Sequence, residues 1–205
     1  MRRRRDVVLA GHRGDEPMAR QGLADDAADV RAAALGALLR MGRLSSADVA
    51  AGLADPSAVV RRRACEVATG MPLEVAAGVV TALRDEDGWV VEAACFALGE
   101  WGAVAGPSAV AALVQVATGH PDPLCREAAV AALGAISDPC GLAAILAATL
   151  DKPAVRRRAI LALAPFAGPE VDAALHRALA DRDWQVRQAA EDLLGNRDPA
   201  SDQHP

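Results

Sequence analysis

One nine-residue phrase recurs along this chain, most cleanly as Leu53-Ala54-Asp55-Pro56-Ser57-Ala58-Val59-Val60-Arg61. Its skeleton returns as Leu23, Asp25, Val30, Arg31 and as Leu179, Asp181, Val186, Arg187, with weaker copies at Leu83, Asp85, Val90 and at Asp151, Val155, Arg156. Arg31 to Arg61, Arg61 to Val91 and Arg126 to Arg156 each span 30 positions, and Arg156 to Arg187 spans 31. A constant period of this size means units that cannot bury an apolar face alone and do so by stacking on their neighbours. Val91 to Arg126 spans 35, with the extra residues in 102–107, which predicts a change of superhelical geometry there. Such an array fixes its architecture and leaves its partner open.

Each unit reads as helix A, a tight turn, helix B and a short connection, with Gly, Pro, Ser and Asp where helices must stop. The spacing predicts A helices near 15–24, 46–54, 73–84, 107–118, 139–150 and 169–180, and B helices near 28–41, 57–69, 88–101, 123–136, 153–164 and 183–194. Pro107, Pro153 and Pro169 suit first helical positions, where a missing N–H costs nothing. Apolar residues at helical spacing, such as Val30, Ala34, Leu35, Leu38 and Val155, Ala159, Ile160, Leu163, mark the seam between A and B helices. Ala34 and Ala64 are expected to let backbones approach. The start of the chain, Arg3-Arg4-Arg5-Asp6-Val7-Val8-Leu9, resembles a B helix without its A helix. The expected fold is an all-α solenoid of about six helical hairpins with an amino-terminal capping helix. It forms a single domain over 1–195, in units near 2–14 (the half-repeat cap), 15–42, 45–70, 72–102, 107–137, 139–166 and 169–195. Residues 196–205 lack apolar periodicity and are expected to form a disordered tail.

The composition is 52% hydrophobic but only 2% aromatic, which suits closely packed helices and argues against nucleobase-stacking platforms or a large ligand pocket. A formal net charge of -5 repels polyanions as a whole molecule. Every basic residue other than Lys152 is arginine, which at this alanine content fits biased coding composition better than a demand for guanidinium groups. No secretory signal or spanning helix is expected, since Val7-Val8-Leu9-Ala10 is short and the uncharged stretch 101–121 is broken by glycines and Pro107. With four cysteines and no close pairing, the reading is cytoplasmic.

The phrase resembles the HEAT repeat, specifically the short bacterial kind also found in phycobilin lyases. The resemblance rests on Leu53, Asp55, Val60 and Arg61 with their echoes, and covers about 2–195. It implies an internal ladder in which turn aspartates and helix B arginines hydrogen-bond along the array. Residue by residue, Asp25, Asp55, Asp85 and Asp181 are its acids, and Arg31, Arg61, Arg156 and Arg187 its bases. Val91 stands in one arginine slot and Asp122 lies only four residues before Arg126, so an interruption of the ladder is expected in the middle.

Catalytic, metal and cofactor roles find no candidates. Cys65 and Cys95 sit one period apart, where stacked helix axes about 10 Å apart keep ligands from converging, so both read as core filler, and no histidine accompanies a cysteine at a suggestive spacing. Deoxyhypusine hydroxylases of HEAT type hold iron with His-Glu pairs, whereas His12, His120, His176 and His204 precede Arg13, Pro121, Arg177 and Pro205. Phycobilin-lyase activity shares only the repeat. Alkylpurine DNA glycosylases of HEAT type use an Arg-rich concave face with Trp. Here the residues after each anchor, Ala32, Arg62, Glu92, Glu127, Arg157 and Gln188, form a row of mixed sign whose acids break a phosphate track halfway along. The preferred expectation is a non-enzymatic scaffold that binds a protein of mixed charge with acidic clusters along the helix B face. Its contacts are expected from Arg62, Arg63, Arg157, Arg158, Trp184 and Gln188. A nucleic-acid binder and a regulatory or lyase-like subunit are the alternatives; oligomeric state is left open.

Overall fold

A computed structural model describes residues 2–195. The expected tail at 196–205 lies outside the described residues. Within them the chain is all-α, with thirteen α-helices, three short 3₁₀ turns and no strand. The fold is an α-solenoid of helical hairpins. Its residues gather into two compact units, Met1–Leu98 and Gly99–Pro205, whereas the sequence reads as one domain over 1–195.

The first unit holds α1 (Arg2–Arg13), three A helices and three B helices. The A helices are α2 (Glu16–Gly22), α4 (Ser46–Leu53) and α6 (Ala76–Ala82); the B helices are α3 (Ala28–Arg40), α5 (Ala58–Ala68) and α7 (Gly88–Trp101), whose last turn crosses the boundary. A and B helices form two layers, with α1 packed beside α3 in the B layer, and α3 beside α5. The half-repeat cap expected near 2–14 is α1, Arg2–Arg13. Val7 packs in one buried cluster with Ala19, Val30, Ala34, Ala37 and Leu38. The second unit repeats the arrangement, with A helices α8 (Pro107–Gly119), α10 (Leu142–Ala148) and α12 (Pro169–Ala178). Its B helices are α9 (Pro123–Ile136), α11 (Pro153–Ala162) and α13 (Trp184–Gly195).

Helix starts follow local chemistry. Ser45 and Asp48 form a reciprocal capping box at α4, and the Asp15 side chain accepts the Met18 N–H at α2. In the second unit Pro107, Pro123, Pro153 and Pro169 open four of the helices. Two A helices begin with a 3₁₀ turn, Leu73–Val75 and Pro139–Gly141, within the spans read as one helix. The extra residues of the long repeat form a 3₁₀ turn over Gly102–Ala105. It ends at Gly106, whose φ of +82° admits glycine far more readily than other residues, and Pro107 then starts α8.

Small residues set the helix spacing. Ala34 and Ala64 are fully buried beneath Gly22 and Gly52, where added Cβ atoms would come within 3.1 and 3.0 Å of them. B helices approach one another by a second rule. A glycine eight residues after the anchor lies against an alanine six residues after the next anchor: Gly11 on Ala37, Gly99 on Ala132, Gly134 on Ala162. A Cβ at Gly134 would meet the Ala162 Cβ at 2.7 Å and its Cα at 2.8 Å. Leu35 and Leu163 are buried, and truncation of either to Ala costs about 2–5 kcal/mol.

Candidate functional site

The turn between helices A and B is held by one repeated clamp. Arg31 donates from Nε to Asp55 Oδ2 (2.8 Å) and from Nη2 to Asp55 Oδ1 (2.7 Å), one repeat ahead. Its Nη1 donates to the carbonyls of Asp25 and Asp26 in its own turn. Arg61 repeats this on Asp85 (2.6 and 2.8 Å) and on the Asp55 and Pro56 carbonyls. Arg156 does so on Asp181 (2.8 and 2.7 Å) and on the Asp151 carbonyl. Each guanidinium therefore closes its own turn and forks onto the next, a use of planar donors that lysine does not reproduce.

Each aspartate serves twice. Asp55 Oδ1 also accepts the Ser57 N–H, Asp85 Oδ1 the Asp87 N–H and Asp181 Oδ1 the Asp183 N–H, which locks the turn leading into helix B. At Asp151 the residue two positions on is Pro153, which has no N–H, and the Lys152 N–H donates instead. The arginine hydrogen bonds hold the carboxyls of Asp55, Asp85, Asp151 and Asp181 below the usual aspartate range, against the opposing effect of burial. The same bonds push Arg31, Arg61, Arg126 and Arg156 up.

Two rungs escaped the sequence reading. Arg126 forks onto Asp151 (2.6 and 2.8 Å) and takes the His120 and Pro121 carbonyls. The ladder is interrupted in the middle, as expected, but Arg126 is not part of the interruption, and Asp122 is not a rung acid but the cap of α9, accepting the Leu124 N–H, because it stands two residues past the acid slot, which His120 holds. The gap is confined to slots 91 and 120, where Val91 and His120 replace the arginine and the aspartate. Arg3 donates to Asp25 at 3.0 Å, a first rung whose signal was the three-arginine start that matches Arg156-Arg157-Arg158. Arg187 takes the Asp181 and Arg182 carbonyls of its own turn. On the A side Arg20 donates to Glu16, to Asp48 and to the Arg43 carbonyl.

The helix B candidates fall into two sets, one in each unit. Arg62 and Arg63, expected to be free, both bind Glu66 (3.0 and 2.8 Å), since residues one turn apart on a helix face meet. Arg62 also lies over the Trp89 ring, 5.5 Å from its centre. In the second unit Arg158 reaches Glu127 at 3.5 Å, and its Nε, shielded from solvent, has no hydrogen-bond partner among the described residues. Arg157 is half-buried, while Gln188 is exposed and donates to Asp192. Trp184 is 64% exposed, and Trp89 and Phe96 are each 58% exposed. Trp89 and Phe96, seven residues apart, share one face of α7, so three of the five aromatic residues of the chain stand in solvent on B helices. The sequence reading gave Trp89 no partner role and did not single out Phe96.

Cys65, Cys95 and Cys125 are buried, and burial pushes the Cys65 thiol up to about 12; Cys140 is exposed. No group of three or more His, Cys, Asp or Glu among the described residues is placed to hold a metal ion, and no described helix is long and apolar enough to cross a membrane.

Residues 76–154 match the family of HEAT repeats. No curated protein gives a significant match. Among solved structures, the chain is similar to the complex of CpcE and CpcF of phycocyanin lyase from Nostoc. The likeness is at 25% identity and a TM-score of 0.61, over 88% of this chain and 76% of that one. It is similar to YibA from E. coli at 18% identity and a TM-score of 0.68, over 93% and 74%. A designed armadillo repeat protein in complex with the peptide (KR)4 matches at 16% identity and a TM-score of 0.64, over 89% and 99%.

Proposed function

We propose that this chain, built of HEAT repeats, is a non-enzymatic, cytosolic scaffold that binds a partner protein along its helix B face. The observation that carries the reading is the exposure of Trp89, Phe96 and Trp184 on B helices in a chain this poor in aromatics. Burying aromatic side chains at a partner surface supplies much of the energy of association, and Arg beside Trp is frequent among the residues that dominate it. The ladder arginines are consumed by the turns, so contacts fall to the neighbouring positions Arg62, Arg63, Arg157, Arg158 and Gln188. Because Glu66 and Glu127 already share those guanidinium groups, the favoured partner has mixed charge with acidic clusters rather than uniform negative charge. The likeness to a complex of two lyase subunits supports pairing with another protein and keeps one alternative in view, attachment of a tetrapyrrole.

The test is affinity capture from the native host, repeated with Trp89→Ala/Phe96→Ala and with Arg62, Arg63, Arg157 and Arg158 all changed to Glu. Helical content is checked by circular dichroism. Loss of the same captured protein in both variants is expected. Undiminished recovery places the binding surface elsewhere, and a visible tetrapyrrole band after co-expression with the pigment pathway favours the lyase-like alternative.

A further inference from the structure

One concavity of the first unit was not anticipated in the sequence. It is a trough of about 790 Å³ on the helix B side, floored by Ala32, Ala33 and Gly36 of α3 and bordered by α1 and α5. Arg4 and Arg5 stand on one wall, Arg63 on the other and Arg40 at the far end of the floor; Asp29 is the one acid in the lining. Arg4, Arg5 and Arg40 are exposed, and none makes an ion pair with any described residue. Arg63 lies flat on the floor, close enough that a Cβ at Gly36 would meet its Nη2 at 2.4 Å. In a chain of net charge -5 this is a local reversal of sign, assembled from three helices.

The dimensions point to the occupant. Arg3 and Arg31 are equivalent anchors, so Arg4 and Arg5 lie level with Ala32 and Ala33. From Ala32 to Arg40 the helix rises about 12 Å at ~1.5 Å per residue. Four residues of extended chain cover about 13 Å, and side chains four apart in an extended chain point the same way. The floor residues themselves, Ala32, Ala33 and Gly36, carry no long side chains, so a peptide backbone can lie over them against the guanidinium of Arg63. We propose that the trough binds an extended acidic segment of a partner protein, with one carboxylate on Arg4 and Arg5, a second four residues along on Arg40, and small side chains between. A nucleic acid strand fits less well, because the track is short and Asp29 and the Glu66 bound to Arg63 oppose a continuous run of phosphates. The proposal rests on the helix B reading above and specifies the partner's chemistry at one place on that face.

The test uses the full chain and a fluorescein-labelled octapeptide of alternating glutamate and alanine, read by fluorescence anisotropy. Saturable binding that weakens with added salt is expected. It should fall at least about tenfold in Arg4→Glu/Arg5→Glu/Arg40→Glu with unchanged circular dichroism. The octapeptide with glutamine in place of glutamate should not bind. Absence of saturable binding up to the millimolar range, equal binding by the triple variant, binding of the glutamine peptide, or tighter binding of oligothymidylate overturns the proposal. Sedimentation of the free chain is the check on a second copy: a dimer lost in the triple variant assigns the trough to self-association instead. Capture from the host separates the two readings. A partner retained by the triple variant but lost on reversal of Arg62, Arg63, Arg157 and Arg158 leaves the helix B reading standing and removes the trough.

Discussion

The two units use one clamp and differ in nearly everything around it. In the first, Arg31 and Arg61 fork onto Asp55 and Asp85; in the second, Arg126 and Arg156 fork onto Asp151 and Asp181 with closely matching distances. Helix starts differ in emphasis, with side-chain caps at Asp15 and Ser45 in the first unit and prolines opening four helices of the second, one of them also capped by Asp122. The B faces diverge further, since the basic trough of Arg4, Arg5, Arg40 and Arg63 is built only from first-unit residues. A helix start must only satisfy or dispense with backbone N–H groups, which several residues do equally well. A rung must place guanidinium N–H groups on both carboxylate oxygens of the next turn and on carbonyls of its own turn, a geometry that the planar fork of arginine facing aspartate supplies.

The sharpest way to test this distinction is to remove arginines that differ in reach. Arg61→Ala strands a mostly buried aspartate and two turn carbonyls, Arg156→Ala an aspartate and one carbonyl, and each should lower stability by about 3–5 kcal/mol. Arg187→Ala loses only the carbonyls of its own turn and should cost about 1 kcal/mol. Chemical denaturation of the three variants decides it; equal losses would mean that the fork onto the next repeat adds nothing. The rung aspartates also set an acid limit. Their folded pKa values lie below the unfolded value of about 3.9, so their contribution is present above that pH and is lost as pH falls through the depressed folded values. Asp85→Asn and Asp181→Asn should each flatten the acid side of the stability profile while lowering stability at neutral pH.

A smaller effect separates glycines by what they face. Gly134→Val drives a side chain into the Ala162 backbone and should cost about 1–3 kcal/mol, and Gly11→Val should behave the same way against Ala37. Gly119→Ala, with open space around it, should instead stabilise by a few tenths to about 1 kcal/mol. Thermal melting reads both signs, and a neutral Gly134→Val would remove glycine as the spacer of the B layer. The smallest difference lies at the helix starts. Ser45→Ala should cost about 1 kcal/mol through lost capping, whereas Ser45→Gly should cost only a few tenths. Pro153→Ala should cost about 0.4–1 kcal/mol through a freer unfolded chain. Denaturation midpoints for these three test whether caps and prolines are interchangeable.

The sequence by itself determined the period, the helical hairpins and which residues are inside, because a stacked repeat depends on short-range patterns that recur. Leu35, Leu163 and Ala34 could be placed from helical spacing alone, and the turn aspartates and anchor arginines from their recurrence. The rung from Arg126 to Asp151 was missed because its acid stands five residues before the next anchor instead of six, and only the folded structure shows which carboxylate a long guanidinium reaches. The pairing of Arg62 and Arg63 with Glu66 follows from spacing within one helix, whereas the glycine-to-alanine contacts of the B layer and the exposure of Phe96 were likewise decided by tertiary structure. So was the trough, since Arg4, Ala32, Arg40 and Arg63 are strangers along the chain. Periodicity assigns a residue to a helix face, but what stands opposite that face comes from a neighbouring helix some thirty residues away.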